Sequence, residues 1–485
     1  MYYNNFGERR LSMLMDFYEL TMANGYFSNG MKDEIVYFDL FFRKNPDGAG
    51  FSIVAGLEQI IQYIKELKFC EEDITYLRSK KLFTEEFLQY LKEFKFSGDI
   101  YAIPEGTPVF PNEPLITVRA KTIDAQIIET MLLLTMNHQS LIATKASRVV
   151  RAAKGKPIME FGARRSQGYD GAIYGARAAY IGGVVGTATT LADEAFGVPA
   201  LGTMAHSWVQ MFESEYEAFK SYAQNYPNDC NLLIDTYNVI KSGIPNAIKV
   251  SKEVLEPLGK RLKGVRIDSG DIAYLSKKCR KMLNEEGLHD CAIVASNSLD
   301  EFIISDLLDQ GAKIDSFGVG ERLITAKSEP VFGCVYKLVA VEKDGMIIPK
   351  IKISENEEKI TNPGYKKVWR LYDKKTHSPI ADVVTLAEEI IDDSKPYTIF
   401  DEIHTWKKKR VTRFYAKNLQ VPVFINGECV YESPSLNDIR AYCKKKVDNL
   451  WGEIKRFSNP HNYYVDLSKD LWDCKQNLIS QYSFK

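Results

Sequence analysis

The stretch Gly264-Val-Arg-Ile-Asp-Ser-Gly-Asp271 decides how this chain of 485 residues is read. It alternates apolar with charged residues, which predicts a strand with Arg266 and Asp268 projecting together from one face. Three further polar clusters close short apolar runs in the same way: Phe161-Gly-Ala-Arg-Arg165, Gly202-Thr-Met-Ala-His-Ser207 and Ser316-Phe-Gly-Val-Gly-Glu-Arg322. Barrels of alternating strands and helices carry their chemistry at the carboxyl ends of the strands. Four such ends gathered in one place would combine an aromatic with arginines, a histidine, an Arg/Asp pair and a glycine turn. That set suits a flat anionic ring and a sugar phosphate.

Working outward, strand-like runs at Pro157–Phe161, Val198–Gly202, Leu232–Thr236, Gly264–Asp268, Ala292–Ser296 and Ile314–Gly318 alternate with helical patterns. Ser207, and a capping box of Ser298 with Glu301, are the expected helix starts. Six units at uneven spacing predict an irregular, incomplete α/β-barrel over residues 151–329, joined to an amino-terminal α/β domain over 1–150. Within the latter, 12–28 reads as a helix, Ile35–Phe42 as a strand, and Asp124–Ala153 as one long connecting helix. Residues 330–390 turn to β-rich segments expected to complete the amino-terminal sheet. Residues 400–485, rich in lysine and aromatics, are expected to form a covering subdomain.

Formal charge is −1, from 63 basic and 64 acidic residues, so no global field draws the chain to nucleic acid or an anionic membrane. The start MYYNNFGERR lacks a secretory pattern, and apolar runs such as Met131–Met136 are too short to span a bilayer. A cytoplasmic location is expected. Eight cysteines lie scattered with no CxxC pair, which predicts reduced structural thiols rather than a zinc site. The Lys407–Arg410 run reads as a solvated face in preference to an anion site.

Each cluster also has a plainer explanation. In Phe161–Arg165 a glycine lets the chain turn, so that a ring can stack and an arginine can bind a carboxylate bidentately; the same residues would also serve as a strand-end turn with surface ion pairs. His206, just before a helix, could donate to a ligand, act as a base, or accept a phosphoryl group; single histidines are more often structural. Arg266 and Asp268 could hold a phosphate and ribose hydroxyls or a magnesium-bound diphosphate, or simply pair with each other. Gly318 and Gly320 could free backbone N–H groups for a phosphate, although a GxG is usually a turn. Tyr18, inside the first helix, reads as core.

Taken in order, these clusters resemble the nicotinate phosphoribosyltransferase family, from Asp16-Phe-Tyr-Glu-Leu-Thr-Met22 through Gly264–Asp271 to Pro363-Gly-Tyr-Lys-Lys-Val-Trp-Arg370. The resemblance implies a type II phosphoribosyltransferase fold, commonly dimeric with sites at the subunit interface. It implies that Tyr18, reaching from a partner subunit, and Phe161 sandwich a pyridine ring, with Arg164 at the carboxylate of nicotinate. It further implies that Arg266 and Asp268 hold the phosphoribosyl diphosphate, that Gly318 and Gly320 bind its phosphate, and that His206 is phosphorylated by ATP. Mg2+ would arrive with the diphosphate, with Asp268 as a candidate ligand. The related nicotinamide enzymes carry an aspartate in the Gly-Thr-x stretch, where this chain has Gly186-Thr-Ala188. Its absence suits the acid substrate. Two alternatives stay open here: a nicotinamide-using relative, and a non-catalytic barrel that binds a sugar phosphate.

Overall fold

The computed structural model describes residues 11–356 and 359–483, so the opening decapeptide read above for a secretory signal lies outside the described residues. The chain divides into two compact units, one made of Met1–Leu141 with Val331–Lys485 and the other of Ile142–Pro330.

The first unit is built on a seven-stranded antiparallel sheet in the order Met346–Pro349, Cys334–Lys343, Ile35–Phe42, Ile116–Lys121, Asp99–Ala102, Val421–Ile425, Glu428–Cys429. Ile35–Phe42 is apolar almost throughout because it is paired on both edges and buried on both faces. Its one charge, Asp39, is held by the buried Lys366 Nζ at 2.8 Å and by Thr117 Oγ1 at 2.8 Å, as a buried carboxylate requires. A second sheet of four strands carries the buried pair of Arg370 and Asp382, with the Tyr463 hydroxyl donating to the carboxylate at 2.9 Å.

The long connecting helix is interrupted. Thr122–Ile127 and Glu129–Ala152 are separate helices, broken at Ile128. The cause is tertiary: the Thr130 N–H donates at 3.1 Å to the carboxylate of Glu19, on the helix Phe17–Ser28, instead of continuing the helical ladder.

The second unit is an open parallel sheet of six strands in the order Gly186–Thr187, Ile158–Glu160, Ser316–Val319, Ala292–Ala295, Gly264–Ile267, Asn231–Leu233. Helices such as Gly168–Ile181 and Ile272–Glu285 connect the strands, giving a curled half-barrel rather than a closed one. Val265, Ile267, Ile293 and Leu232 are buried in its core, each contributing about 1.5–3 kcal/mol of transfer free energy.

Three local expectations fail here. Val198–Gly202 makes only a single bridge, Ala200 to Thr187, because Pro199 has no N–H to extend a ladder; the edge strand is the shorter Gly186–Thr187. The helix expected to start after Ser207 begins at His206, with Ala205 at the cap. Asp300, not Ser298, caps Glu301–Asp309, accepting from the N–H groups of Phe302 and Ile303 at 3.1 and 2.9 Å. Ser298 is instead in the left-handed region, with φ of 49°.

Candidate functional site

A cavity of about 550 Å³ opens at the carboxyl ends of the parallel strands, and every residue lining it belongs to the second unit. Phe161, Arg164, His206, Arg266, Asp268, Gly318 and Gly320 all line it, so the structure brings seven sequence-predicted residues together. Tyr18 belongs to the first unit, where it sits half-exposed on Phe17–Ser28.

Phe161 is fixed by its N–H, which donates to Val319 at 2.8 Å across the parallel pair. Its ring lies over Gly318, where an added Cβ would fall 2.4 Å from Cδ2 of the ring. Gly318 is therefore a glycine for packing reasons, while a Cβ on Gly320 would meet the Phe161 carbonyl oxygen at 3.1 Å. The next residue, Gly162, donates to the buried Glu160 carboxylate, which also accepts from Thr187 Oγ1 at 2.6 Å. Burial pushes the Glu160 carboxyl above the usual range despite these bonds. Position 162 is glycine for room and not for its backbone angle, since φ is −98° and a side chain there would strike that carboxylate and Ile324.

The two arginines of the turn have different employments. Arg165 is paired with Glu321 at 2.6 Å, and Glu321 also holds Lys327 at 2.6 Å. Arg164 lines the cavity, exposed, with no acidic partner among the described residues. Ala188 also lines the cavity; its N–H donates to the Glu160 backbone carbonyl at 2.8 Å, which seats its methyl one strand over from Phe161.

On the other side, Arg266 clips the loop that leads to His206, donating from Nη1 to Thr203 Oγ1 and from Nη2 to the Met204 carbonyl, both at 2.8 Å. Its Nε is buried without a partner. Burial lowers the Arg266 pKa, opposed by Asp268 and Asp235. The His206 Nδ1 lies 3.1 Å from Thr236 Oγ1, and Nε2 lies 3.9 Å from Asp235 Oδ1 and 4.0 Å from Asp268 Oδ2. The side chain remains 39% exposed, so the imidazole is both oriented and reachable.

Asp235, buried, accepts from the N–H of Asp268 at 3.0 Å and the hydroxyl of Ser269 at 2.6 Å, leaving Oδ1 toward the histidine without a partner. The Ser296 hydroxyl donates to Asp268 Oδ1. Asn297 and Ser298, which also line the cavity, hold φ of 86° and 49°, a conformation that costs a non-glycine residue free energy and clusters at functional sites. Sequence reasoning missed Asp235, Thr203, Ser296 and Asn297. The first had a readable signal, since it follows the strand beside Arg266; Thr203 and Ser296 act through hydroxyls whose partners lie far off in sequence, and Asn297 through a backbone conformation that residue type does not encode.

Among the described residues no three His, Cys, Asp or Glu side chains are grouped to hold a metal ion. Asp268 lines the cavity and offers it a carboxylate, whereas Asp235 does not line it and its oxygen without a hydrogen bond is buried. That donor set fits Mg2+ that arrives on a diphosphate, which needs only one or two protein carboxylates. The first unit contains a larger cavity, about 690 Å³, in which Lys366 is paired with Asp39 and Lys475 with Glu402, each at 2.8 Å. No helix among the described residues is long and apolar enough to cross a membrane.

Residues 13–137 match the nicotinate phosphoribosyltransferase N-terminal domain, 157–373 the nicotinate phosphoribosyltransferase family, and 365–475 the C-terminal domain. The chain is 45% identical over 478 residues to the nicotinate phosphoribosyltransferase of Bacillus subtilis (strain 168), covering 98% of this chain and 96% of that one. It is 30% identical over 521 residues to the Homo sapiens nicotinate phosphoribosyltransferase, covering 95% of each. The crystal structure of human nicotinic acid phosphoribosyltransferase superposes with a TM-score of 0.86 at 29% identity, covering 96% of this chain and 99% of that one.

Proposed function

This chain belongs to the nicotinate phosphoribosyltransferase family, and from that premise we propose that the cavity of the second unit is where nicotinate meets phosphoribosyl diphosphate. The enzyme transfers the phosphoribosyl group to nicotinate, giving nicotinate mononucleotide and diphosphate in NAD salvage. The observation that carries the assignment of the site is the convergence of Phe161, Arg164, Arg266 and Asp268 on one cavity at the strand ends.

Phe161 offers one face to the pyridine ring and Tyr18, from a partner subunit of a homodimer, offers the other. Arg164, lacking an internal acid, takes the carboxylate. The ring nitrogen then attacks C1′ as diphosphate leaves through an oxocarbenium-like transition state. Little proton transfer is needed, so the protein acts by positioning and charge stabilisation. Arg266 and Asp268 hold the phosphoribosyl part, and the Phe161-braced Gly318–Gly320 turn keeps room for its phosphate. Mg2+ held by Asp268 would neutralise the diphosphate.

ATP use is coupled through His206. Thr236 orients its ring, and the phosphoryl group it accepts adds about −1.5 to −2 charge beside the diphosphate. Hydrolysis of that phosphohistidine drives product formation. The scattered, reduced cysteines support a cytoplasmic setting.

Ala188 favours nicotinate over nicotinamide, since it places a methyl where the amide-using relatives place an aspartate. A product assay with each base, with and without ATP, tests the reading: nicotinate mononucleotide should form, faster with ATP. Equal or better turnover of nicotinamide would overturn the substrate choice, and binding without turnover would favour a silent barrel.

A further inference from the structure

Four arginines line the cavity at the strand ends, and three of them already have employment. Arg165 is paired with Glu321, both Nη atoms of Arg266 are used on Thr203 and the Met204 carbonyl, and Arg164 is read as the partner of the nicotinate carboxylate. The fourth is Arg322, two residues past Gly320 on the short helix Glu321–Ile324 that follows the strand Ser316–Val319. Its Nη1 donates to Asp300 Oδ2, and its side chain makes no other hydrogen bond or ion pair among the described residues. Nε and Nη2 are therefore available, on a side chain that is 34% exposed. Asp300 is itself fixed, because its Oδ1 accepts from the N–H groups of Phe302 and Ile303 at 3.1 and 2.9 Å. The ion pair thus ties the end of Ser316–Val319 to the loop after its parallel neighbour Ala292–Ala295, the loop in which Asn297 and Ser298 hold their left-handed backbone.

We propose that Arg322 binds the 5′-phosphate of the sugar, with Asp300 holding the guanidinium beside the Gly318–Gly320 turn. The proposal rests on the reading of this cavity as the transferase site and of that turn as its phosphate cradle. A guanidinium presents five N–H donors in a rigid fork, so one edge can be anchored by a carboxylate while another meets an anion. A phosphate has oxygens enough to accept from backbone N–H groups and an arginine together. Position in the sheet selects this anion over the other two. Phe161, with Arg164 after it, follows Ile158–Glu160 on one side, Asp268 follows Gly264–Ile267 on the other, and Arg322 and Asp300 follow the two strands between them. The carboxylate and the diphosphate are read at those outer strands, which leaves the middle pair, and the glycine turn it contains, to the phosphate.

The test compares two inhibitors of the full-length enzyme: nicotinate mononucleotide, and nicotinate riboside, which is the same molecule without its 5′-phosphate. Wild-type enzyme should be inhibited far better by the mononucleotide. Arg322→Gln is expected to weaken the mononucleotide about 10- to 100-fold, the range of a lost charged hydrogen bond, and to leave the riboside within about twofold. In initial rates the KM for phosphoribosyl diphosphate should rise by a similar factor while the nicotinate KM, and the diphosphate KM of the reverse reaction, stay within about twofold. Asp300→Asn keeps an oxygen for the helix N–H groups and leaves the guanidinium in place, so it should give the same pattern at smaller size. A preference for the mononucleotide that survives Arg322→Gln would overturn the proposal. So would losses equal for both inhibitors, or larger in Asp300→Asn than in Arg322→Gln, since a merely structural ion pair would give them. A raised diphosphate KM would move the arginine to the leaving group and overturn it as well. Wild-type enzyme inhibited equally by riboside and mononucleotide would instead remove the phosphate-cradle reading on which the proposal stands.

Discussion

The ring of Phe161 rests directly on the Cα of Gly318, so closely that a methyl there would stand 2.4 Å from Cδ2. Two residues far apart in sequence therefore specify one another. The aromatic platform has its orientation because the neighbouring strand offers no side chain, and replacing Gly318 with alanine must tilt the ring or part the strands. Overpacking of this kind costs about 1–3 kcal/mol. Gly318→Ala is expected to raise the nicotinate KM about tenfold or more, measured by initial rates at saturating phosphoribosyl diphosphate. An unchanged KM would show that the ring does not hold the base.

The adjacent arginines should separate cleanly. Arg164→Ala removes a guanidinium with no internal acid and is expected to lower kcat/KM for nicotinate about 30-fold or more, as loss of a charged hydrogen bond of roughly 2–3 kcal/mol would. Arg165→Ala breaks an exposed, solvent-screened pair with Glu321 and should leave kcat/KM within about threefold. The reverse order would move the carboxylate site to Arg165.

Ala188→Asp places an anion on the cavity wall one strand from Phe161. Nicotinate turnover is expected to fall at least tenfold while nicotinamide turnover holds or rises, read as the ratio of the two kcat/KM values. A ratio that does not change would show that position 188 has no part in choosing the base.

His206→Asn keeps a side chain of similar reach and removes the phosphorylatable ring. Basal product formation should persist while ATP stimulation disappears, and acid-labile phosphate from γ-labelled ATP should no longer attach to the protein. Retained stimulation would break the coupling through this histidine.

Two carboxyls contribute to a pH dependence of stability. Burial is the main cause that pushes both Glu19 and Asp466 up to about 7, with the nearby Glu129 adding to the first and Asp401 and Glu402 to the second. Between the ordinary carboxylate value and about 7 the folded chain binds more protons than the unfolded one, so stability is full at the acid end of that window and falls as pH rises through it. Denaturant midpoints taken from pH 4 to 8 should show this slope, and Glu19→Gln with Asp466→Asn should make it shallower. A slope unchanged by both substitutions would assign it to other carboxyls.

Alternation and short apolar runs were enough to read Gly264–Asp271 as a strand that ends in a site, and the parallel half-barrel followed from the same pattern repeated. What was illegible depended on partners distant in sequence. The break at Ile128 is made by Glu19, more than a hundred residues away, and no local propensity marks it. Val198–Gly202 has strand composition, yet Pro199 limits it to one bridge. In the site, residue type pointed to His206 and Arg266, but not to Asp235, whose importance lies in what it holds: the Asp268 backbone and the Ser269 hydroxyl. Gly318 was read as a phosphate cradle, and its contact with Phe161 gives it a second reason to be glycine.

The clip formed by Arg266 on Thr203 and the Met204 carbonyl has a bearing on how the enzyme is dissected. Both terminal nitrogens of this guanidinium are spent on the segment that precedes His206 and its Nε is buried, so shortening the side chain frees the Thr203–Met204 stretch as well as removing a charge from the cavity wall. Variants at 266 and 206 should accordingly show overlapping rather than multiplying defects, since a change at the first disturbs the backbone that carries the second.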